Sequence, residues 1–227
     1  MPVFYGKNMT SNSMRKAIAE FIGTFFLTLT IFLTALGGTA AEGFTDFAPV
    51  AIGLTLMVMV YAIGHISGAH FNPAVTIGLW LKGDAKTEDL QYYIPAQIIA
   101  GVAAWLIGSE IILDSLTITE FDPESAGIAA IVAAEALFTF ALMYVIINVA
   151  TEQGGNPFYG AAIGLTVMAG AFTVGSISMG SFNPAVTTML LVSGKMAIAD
   201  CWMHFIPQLA GAAAAVYAHK MTIIENE

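Results

Sequence analysis

The sequence has very little charge. Of its 227 residues, 7 are Lys or Arg and 16 are Asp or Glu, which is 10% of the chain, whereas 57% is hydrophobic. Soluble domains carry about 25% charged residues, so this composition argues strongly against an ordinary soluble enzyme. The net charge of −9 also argues against nucleic acid as a partner, because phosphate backbones are bound by basic surfaces.

Cysteine is almost absent as well. The single Cys201 excludes an internal disulfide framework and provides no pair of thiols for zinc binding or redox chemistry. The sequence shows no Ser/His/Asp set, no phosphate-binding loop and no cluster of metal ligands. We therefore expect neither enzymatic activity nor a resident cofactor or metal ion.

What the chain does have is long uncharged runs. A helix of about 20 apolar residues crosses the ~30 Å core of a bilayer. Two shorter apolar segments, 65–81 and 178–192, are interrupted by Gly and Pro, and their roughly ten helical residues reach only about halfway across. The sequence thus predicts an all-α membrane protein with six transmembrane helices and two half-helices, forming a single domain over residues 1–227. The six long runs are 17–38, 47–66, 91–113, 126–149, 158–177 and 201–219.

The few charges indicate how the chain is oriented. Basic residues flanking membrane helices collect on the cytoplasmic side. With six spans, all basic residues except Lys195 fall on the side of both termini: Lys7, Arg15, Lys16, Lys82, Lys86 and Lys220. The loops on the other side are acidic, with Glu42, Asp46, Asp114, Glu120, Asp122 and Glu124. We therefore expect a multi-pass protein of the cell membrane with both termini in the cytoplasm.

The chain also contains an internal duplication. HFNPAVTIGLWL at 70–81 and SFNPAVTTMLLV at 181–192 share FNPAVT, and a Gln follows each motif Asn at the same distance, at Gln97 and Gln208. The repeats cover about 15–115 and 126–220. Each contains three spans, which is an odd number, so the second repeat enters the membrane from the opposite side. The half-helices then meet near the midplane.

The doubled Asn-Pro-Ala motif suits the start of a helix inside the membrane. Proline is favoured at the first helical position, where its missing N–H is not needed, and asparagine is a good N-cap. Two facing N-termini, each carrying roughly half a positive charge, would repel cations, while the Asn amides could donate to neutral solutes. The motifs are Asn72-Pro73-Ala74 and Asn183-Pro184-Ala185.

The segments before the motifs are expected to run extended, with carbonyl oxygens lining a path. Irregular backbone at membrane depth is tolerated where it is buried or lines a wet cavity. The predicted carbonyl path comprises Gly68, Ala69, His70, Met179, Gly180 and Ser181.

In these features the sequence resembles the major intrinsic protein family, the aquaporins and glycerol facilitators. The resemblance covers 15–219 and rests on both motifs, HISGAHFNPAV at 65–75 and the paired residues Glu20, Glu135, Gln97 and Gln208. It implies the aquaporin fold, one pore per subunit, a homotetramer in the lipid bilayer, and a passive channel for water and small uncharged solutes such as glycerol, urea or ammonia.

The resemblance also implies a selectivity filter that is unusual for the family. Its four positions correspond here to Ile52, Ala171, Gly180 and Val186. The Arg that the family usually has after the second motif is replaced by valine, and the aromatic and His of water-selective members are missing. A wide, apolar filter is therefore expected. The family alignment also assigns an apolar pore wall to Leu27, Leu56, Leu142 and Val167.

The two acids inside spans, Glu20 and Glu135, allow two interpretations. They could couple proton movement in a secondary transporter, or they could hold the half-helix loops, together with Gln97 and Gln208. Their matching positions in both repeats favour the second interpretation. A secondary transporter and a water-only aquaporin remain the alternative functions, and no role follows from the sequence for His204.

Overall fold

The computed structural model describes residues 9–37, 47–113 and 117–222. Lys7, Glu42, Asp46 and Asp114, which entered the charge-based orientation, lie outside these ranges. The helices in chain order are α1 (Met9–Ile31), α2 (Ala48–Ser67), α3 (Pro73–Lys82), α4 (Thr87–Ile107), α5 (Pro123–Ala126), α6 (Ile128–Ile146), α7 (Tyr159–Ser178), α8 (Pro184–Val192) and α9 (Trp202–Thr222).

Three of the long helices continue as π-helical turns, and a short 3₁₀ turn (Ile198–Asp200) precedes α9. The π-helical turns are Phe32–Leu36 after α1, Gly108–Ile112 after α4 and Ile147–Glu152 after α6. With these extensions the spans Asn12–Leu36, Thr87–Ile112 and Ile128–Glu152 are 25 or 26 residues long, which is enough to cross a bilayer with some tilt.

The predicted class, long helices with two half-helices, is confirmed. Within the described ranges five helices are long and apolar enough to span a membrane, namely those that include α1, α2, α4, α6 and α7. The sixth predicted span, α9, has 21 residues but is less apolar, since it contains His204, Gln208 and Lys220. The half-helices α3 and α8 have 10 and 9 residues.

The packing of the helices follows the duplication. In the first half α1 packs against α2 and α4, and in the second half α6 packs against α7 and α9 in the same way. Each half-helix packs against the last long helix of the other half, α3 against α9 and α8 against α4. The helices α2 and α7 face each other at the centre. This exchange of partners is the arrangement expected for an inverted repeat.

A cluster of charges joins three elements at the end of the molecule where α3 finishes. Lys82 Nζ lies 2.7 Å from Glu152 Oε1 and 2.8 Å from Asp84 Oδ2, and His219 Nε2 on α9 lies 3.2 Å from the same Glu152 oxygen. Burial of the ammonium lowers the pKa of Lys82, but the hydrogen bonds to Asp84 and Glu152 outweigh burial and raise it above its usual value. The cation therefore stays charged and connects α3 to the end of α6.

The contact between α2 and α7 depends on two glycines. A Cβ atom on Gly53 would lie 2.7 Å from the carbonyl oxygen of Gly164, and a Cβ on Gly164 would collide with the carbonyl oxygen of Gly53. Small residues at a crossing let membrane helices approach closely. A Cβ atom on Gly175, further along α7, would have no described atom within 4 Å.

Gly164 and Gly175, which both belong to α7, provide a matched test of the contact between α2 and α7. We expect Gly164→Ala to lower the free energy of unfolding by about 1–3 kcal/mol because the helices must separate, while Gly175→Ala leaves it unchanged or raises it slightly, since alanine favours helix. Thermal unfolding of the purified protein in one detergent compares the two. Equal midpoints for both variants would contradict the packing described here.

Candidate functional site

The two half-helices begin in the same way, at the Asn of each motif. The side-chain oxygen of Asn72 accepts the N–H of Ala74 at 2.9 Å, and that of Asn183 accepts the N–H of Ala185 at 2.9 Å. Both Asn residues have extended backbone, with φ of −157°, and a proline follows each of them at the helix start. The Asn side chain thus pairs the N–H of the second helical residue, and the proline at the first position has no N–H to pair.

The asparagine amides also connect the two halves. Asn72 Nδ2 donates to the carbonyl oxygen of Phe182 at 2.8 Å, and Asn183 Nδ2 donates to the carbonyl oxygen of Phe71 at 2.9 Å. Each amide nitrogen carries two hydrogens. Within the described residues the second hydrogen has no protein acceptor, and both Asn side chains border a narrow cavity.

That cavity, of about 60 Å³, passes between the starts of the half-helices. It brings together nearly all residues that the sequence analysis assigned to a path through the protein. The predicted wall residues that line it are Leu27, Leu56, Leu142 and Val167. The predicted filter residues that line it are Ile52, Ala171, Gly180 and Val186.

The predicted carbonyl path is lined as well, with one exception. Ala69, His70, Met179, Gly180 and Ser181 border the cavity, but Gly68 does not. Gly68 instead terminates α2 with a φ of 93°, and its N–H donates to the carbonyl of Gly64 at 2.8 Å. It therefore serves the end of the helix rather than the path.

The expectation that these segments run extended is wrong. Ala69 and Phe71 have φ of 54° and 49°, and Met179 and Phe182 have φ of 64° and 48°. Such left-handed conformations are unfavourable for residues with a side chain, and they persist only where the surroundings impose them. Gly68 and Gly180 also have positive φ, which glycine tolerates readily. For the residues with side chains nothing in GAHF or MGSF signals this conformation, because the constraint comes from contacts distant in sequence.

In the first half these contacts converge on a fully buried carboxylate. Glu20 Oε1 accepts the Oγ–H of Ser67 at 2.6 Å and the N–H of His70 at 2.9 Å. Glu20 Oε2 accepts the N–H of Phe71 at 2.7 Å and Nε2 of Gln97 at 2.8 Å. Four donors thus surround one carboxylate on α1 and hold the loop that precedes α3.

The second half repeats the arrangement around Glu135 on α6. Its Oε1 accepts Ser178 Oγ at 2.7 Å and the N–H of Ser181 at 3.0 Å. Its Oε2 accepts the N–H of Phe182 and Nε2 of Gln208, both at 2.8 Å. Charged hydrogen bonds of this kind are stronger than neutral ones, so each carboxylate is a strong attachment point for its loop.

Further residues that the sequence did not predict belong to these networks. Tyr93 Oη donates to the carbonyl of Ser67 at 2.8 Å, and His204 Nε2 lies 2.8 Å from the carbonyl of Ser178, which makes that nitrogen the protonated one. Tyr93 and His204 each precede the network Gln by four residues. This shared spacing was a signal for both, although their chemistry differs. Thr76 and Thr187, the last residues of the two FNPAVT segments, also contact Gln97 and Gln208.

Comparison with known proteins agrees with this geometry. The sequence profile of the major intrinsic protein family matches residues 7–158 and 155–226. The chain belongs to the major intrinsic protein family. Members of this family are membrane channels rather than enzymes, so the predicted family and membrane location are confirmed.

Individual relatives cover most of the chain. Aquaporin NIP1-1 of Zea mays is 34% identical over 94% of this chain and 77% of its own length. A glycerol uptake facilitator protein-like 6 of Lactiplantibacillus plantarum is 34% identical over 92% of this chain and 98% of its own. The X-ray structure of an aquaglyceroporin from Plasmodium falciparum shares the fold, with a TM-score of 0.76 and 20% identity over 92% of this chain and 96% of that one.

The carboxylate networks generate a direct test. Glu135→Gln exchanges one acceptor oxygen for a donor that faces the N–H of Phe182 or the amide of Gln208. We expect the free energy of unfolding to fall by about 2–3 kcal/mol, because a hydrogen bond to a charged group is removed and a buried donor is left unpaired. The midpoint temperature of thermal unfolding and the water permeability should both decrease.

Glu124→Gln is the matched control, because Glu124 is exposed on α5 and its loss should change neither quantity. If Glu135→Gln behaved like this control, the network would not support the loop.

Proposed function

We propose that this channel conducts water together with small uncharged solutes. The observation that supports this most directly is the narrow cavity shared by Asn72 and Asn183, where the N-termini of two half-helices face each other. Each terminus contributes roughly half a positive charge. A cation at this point meets both charges in a site of low dielectric constant, whereas a neutral solute does not.

A solute on this path would exchange hydrogen bonds rather than lose them. The free N–H of each motif Asn acts as a donor, and the loop carbonyls act as acceptors along the path. The opposite wall is apolar, with Leu27, Leu56 and Leu142. Polar groups on one side and apolar groups on the other allow passage without tight binding, which is the general requirement for rapid conduction.

The filter residues support passage of solutes larger than water. Ile52, Ala171, Gly180 and Val186 offer no charged group and no side-chain hydrogen-bond donor, so polar contacts at this level come from the backbone. A guanidinium here would narrow the path and add donors, and Val186 provides neither. The names of the relatives, an aquaporin and a glycerol uptake facilitator, are in line with water and small polyols or amides as solutes.

The proposed assembly is a homotetramer with one pore per subunit and both termini in the cytoplasm. Large apolar side chains are exposed along the long helices, among them Leu137 at 65%, Ile99 at 59% and Leu165 at 53%. Lipid and neighbouring subunits would cover these faces. Lys16 and Lys82 lie at the end of the molecule assigned to the cytoplasm, in line with the positive-inside rule.

Flux measurements in proteoliposomes test the proposal. Stopped-flow light scattering should show rapid water movement with a low activation energy, and it should show uptake of urea and glycerol that does not require an ion gradient. Saturable uptake that depends on a proton or sodium gradient would indicate a secondary transporter. Exclusion of every solute larger than water would indicate a water-only pore.

The filter assignment has its own test in Val186→Arg. The added guanidinium should narrow the path, so we expect urea and glycerol permeability to fall by more than water permeability. Val192→Arg, at the exposed end of α8 and away from the cavity lining, is the control and should leave the ratio of the permeabilities unchanged. An equal loss of water and solute permeability in Val186→Arg would place the filter elsewhere.

A further inference from the structure

Beyond the filter, the path opens into a wider cavity of about 680 Å³. We call this opening the outer mouth and define it by three of its lining residues, Phe121, Ser176 and Lys195. The filter residues Ile52 and Val186 border the same space, so a solute arriving from this side passes the outer mouth directly before the filter.

Lys195 is held at the outer mouth by contacts of its backbone and its side chain. The end of α8 turns at Gly194, which has a φ of 74°, and the N–H of Lys195 donates to the carbonyl of Leu190 at 3.0 Å. The side chain then reaches the segment before α5, where Nζ donates to the carbonyl of Thr119 at 2.7 Å. The N–H of Phe121 donates back to the Lys195 carbonyl at 2.8 Å.

No carboxylate in the described part of the chain neutralises the charge of Lys195. Within the described ranges it forms no ion pair with any carboxylate, and the acceptor of its ammonium is a neutral carbonyl. Among the described residues that line the narrow cavity and the outer mouth, Lys195 is also the only residue with a charged side chain of the Lys, Arg, Asp or Glu type. The described part of the path therefore carries one formal side-chain charge, which is positive and lies at its opening.

We propose that Lys195 determines the charge selectivity of the outer mouth by repelling cationic solutes before they reach the arginine-free filter. This inference rests on the proposed function. The solutes it distinguishes are pairs of equal shape and different charge, such as urea and guanidinium. Glu120, Asp122 and Glu124 belong to the adjacent segment but are not among the residues that line the outer mouth, so loss of the lysine would shift the local potential towards negative values.

The position of Lys195 sets the expected strength of this effect. Val186 is in the first turn of α8, about 9 Å of helix axis before the last helical residue, Val192, at 1.5 Å per residue, and Lys195 follows that end. This distance is close to the Debye length of about 8 Å at physiological ionic strength. The ammonium should therefore act on solutes in the outer mouth and at the filter, and it should lose its influence in concentrated salt.

The local potential can be measured directly with a reporter thiol. Ser176→Cys in a Cys201→Ser background places one thiol in the outer mouth of the purified protein. The rates of modification by an anionic and a cationic methanethiosulfonate of equal size are then compared. Relative to the ratio for a free thiol in solution, we expect the anionic reagent to be favoured, and we expect Lys195→Gln to lower the anion-to-cation rate ratio by about three- to tenfold.

Three comparisons separate charge from structure. Lys195→Arg keeps the charge and should keep the ratio. Lys220→Gln removes an exposed lysine at the end of α9 and should also leave the ratio unchanged. In about 1 M salt, where the Debye length falls to ~3 Å, the ratios of the parent and Lys195→Gln should converge.

Two results would overturn the inference: an anion-to-cation rate ratio that Lys195→Gln does not change, or a ratio for the parent protein that lies below the ratio for a free thiol in solution. Water permeability of the same variants in proteoliposomes is a separate readout. If the parent did not conduct water, the proposed function would fail whatever the thiol rates showed. If the parent conducted water and the ratio did not respond to Lys195, the inference alone would fail.

Discussion

The structure depends on two carboxylates buried in an apolar bundle. A path across the membrane requires backbone that is not helical, and each unpaired amide at that depth costs several kcal/mol. Glu20 and Glu135 remove this cost by accepting the N–H groups of the loops before α3 and α8. Each carboxylate in turn has all of its acceptor positions filled, so its own burial is compensated. The half-helices, the Asn amides and the cavity between them lie where they do because these two loops are held.

The architecture follows from the sequence because its signals are periodic and duplicated. Apolar runs separated by charge predict the long helices, and the repeated FNPAVT segment predicts that the two halves are related. Asn72 and Asn183 could be assigned as helix caps because Asn-Pro has a local physical meaning. The acids could be recognised because a lone carboxylate in an apolar helix demands a partner. The filter positions depended on family resemblance, since Ile52 or Ala171 taken alone resembles any core residue.

What the sequence could not predict are features created by contacts between distant segments. The left-handed backbone at Ala69 and Phe71 is imposed by Glu20, 49 or more residues earlier in the chain. The role of His204 was hidden because its counterpart in the first half is Tyr93, and the two share only the ability to donate one hydrogen bond to a carbonyl. The two repeats share the position of a hydrogen-bond donor but not the type of residue, so a comparison of residue types between the repeats does not reveal this donor.

Under the proposed function and the proposed role of Lys195, selectivity in this channel is divided among three levels along one path. At the midplane the two half-helix termini act on charge at short range, and the low dielectric constant of the bundle makes their effect insensitive to salt. At Val186 the filter selects by size alone, because it presents no charge. At the outer mouth Lys195 acts on charge through water, and its effect depends on ionic strength. Moving the cation from the filter to the mouth separates two tasks that one arginine performs together, narrowing the path and repelling cations. A channel built in this way can widen its filter for urea or glycerol and still meet an approaching cation with a positive charge.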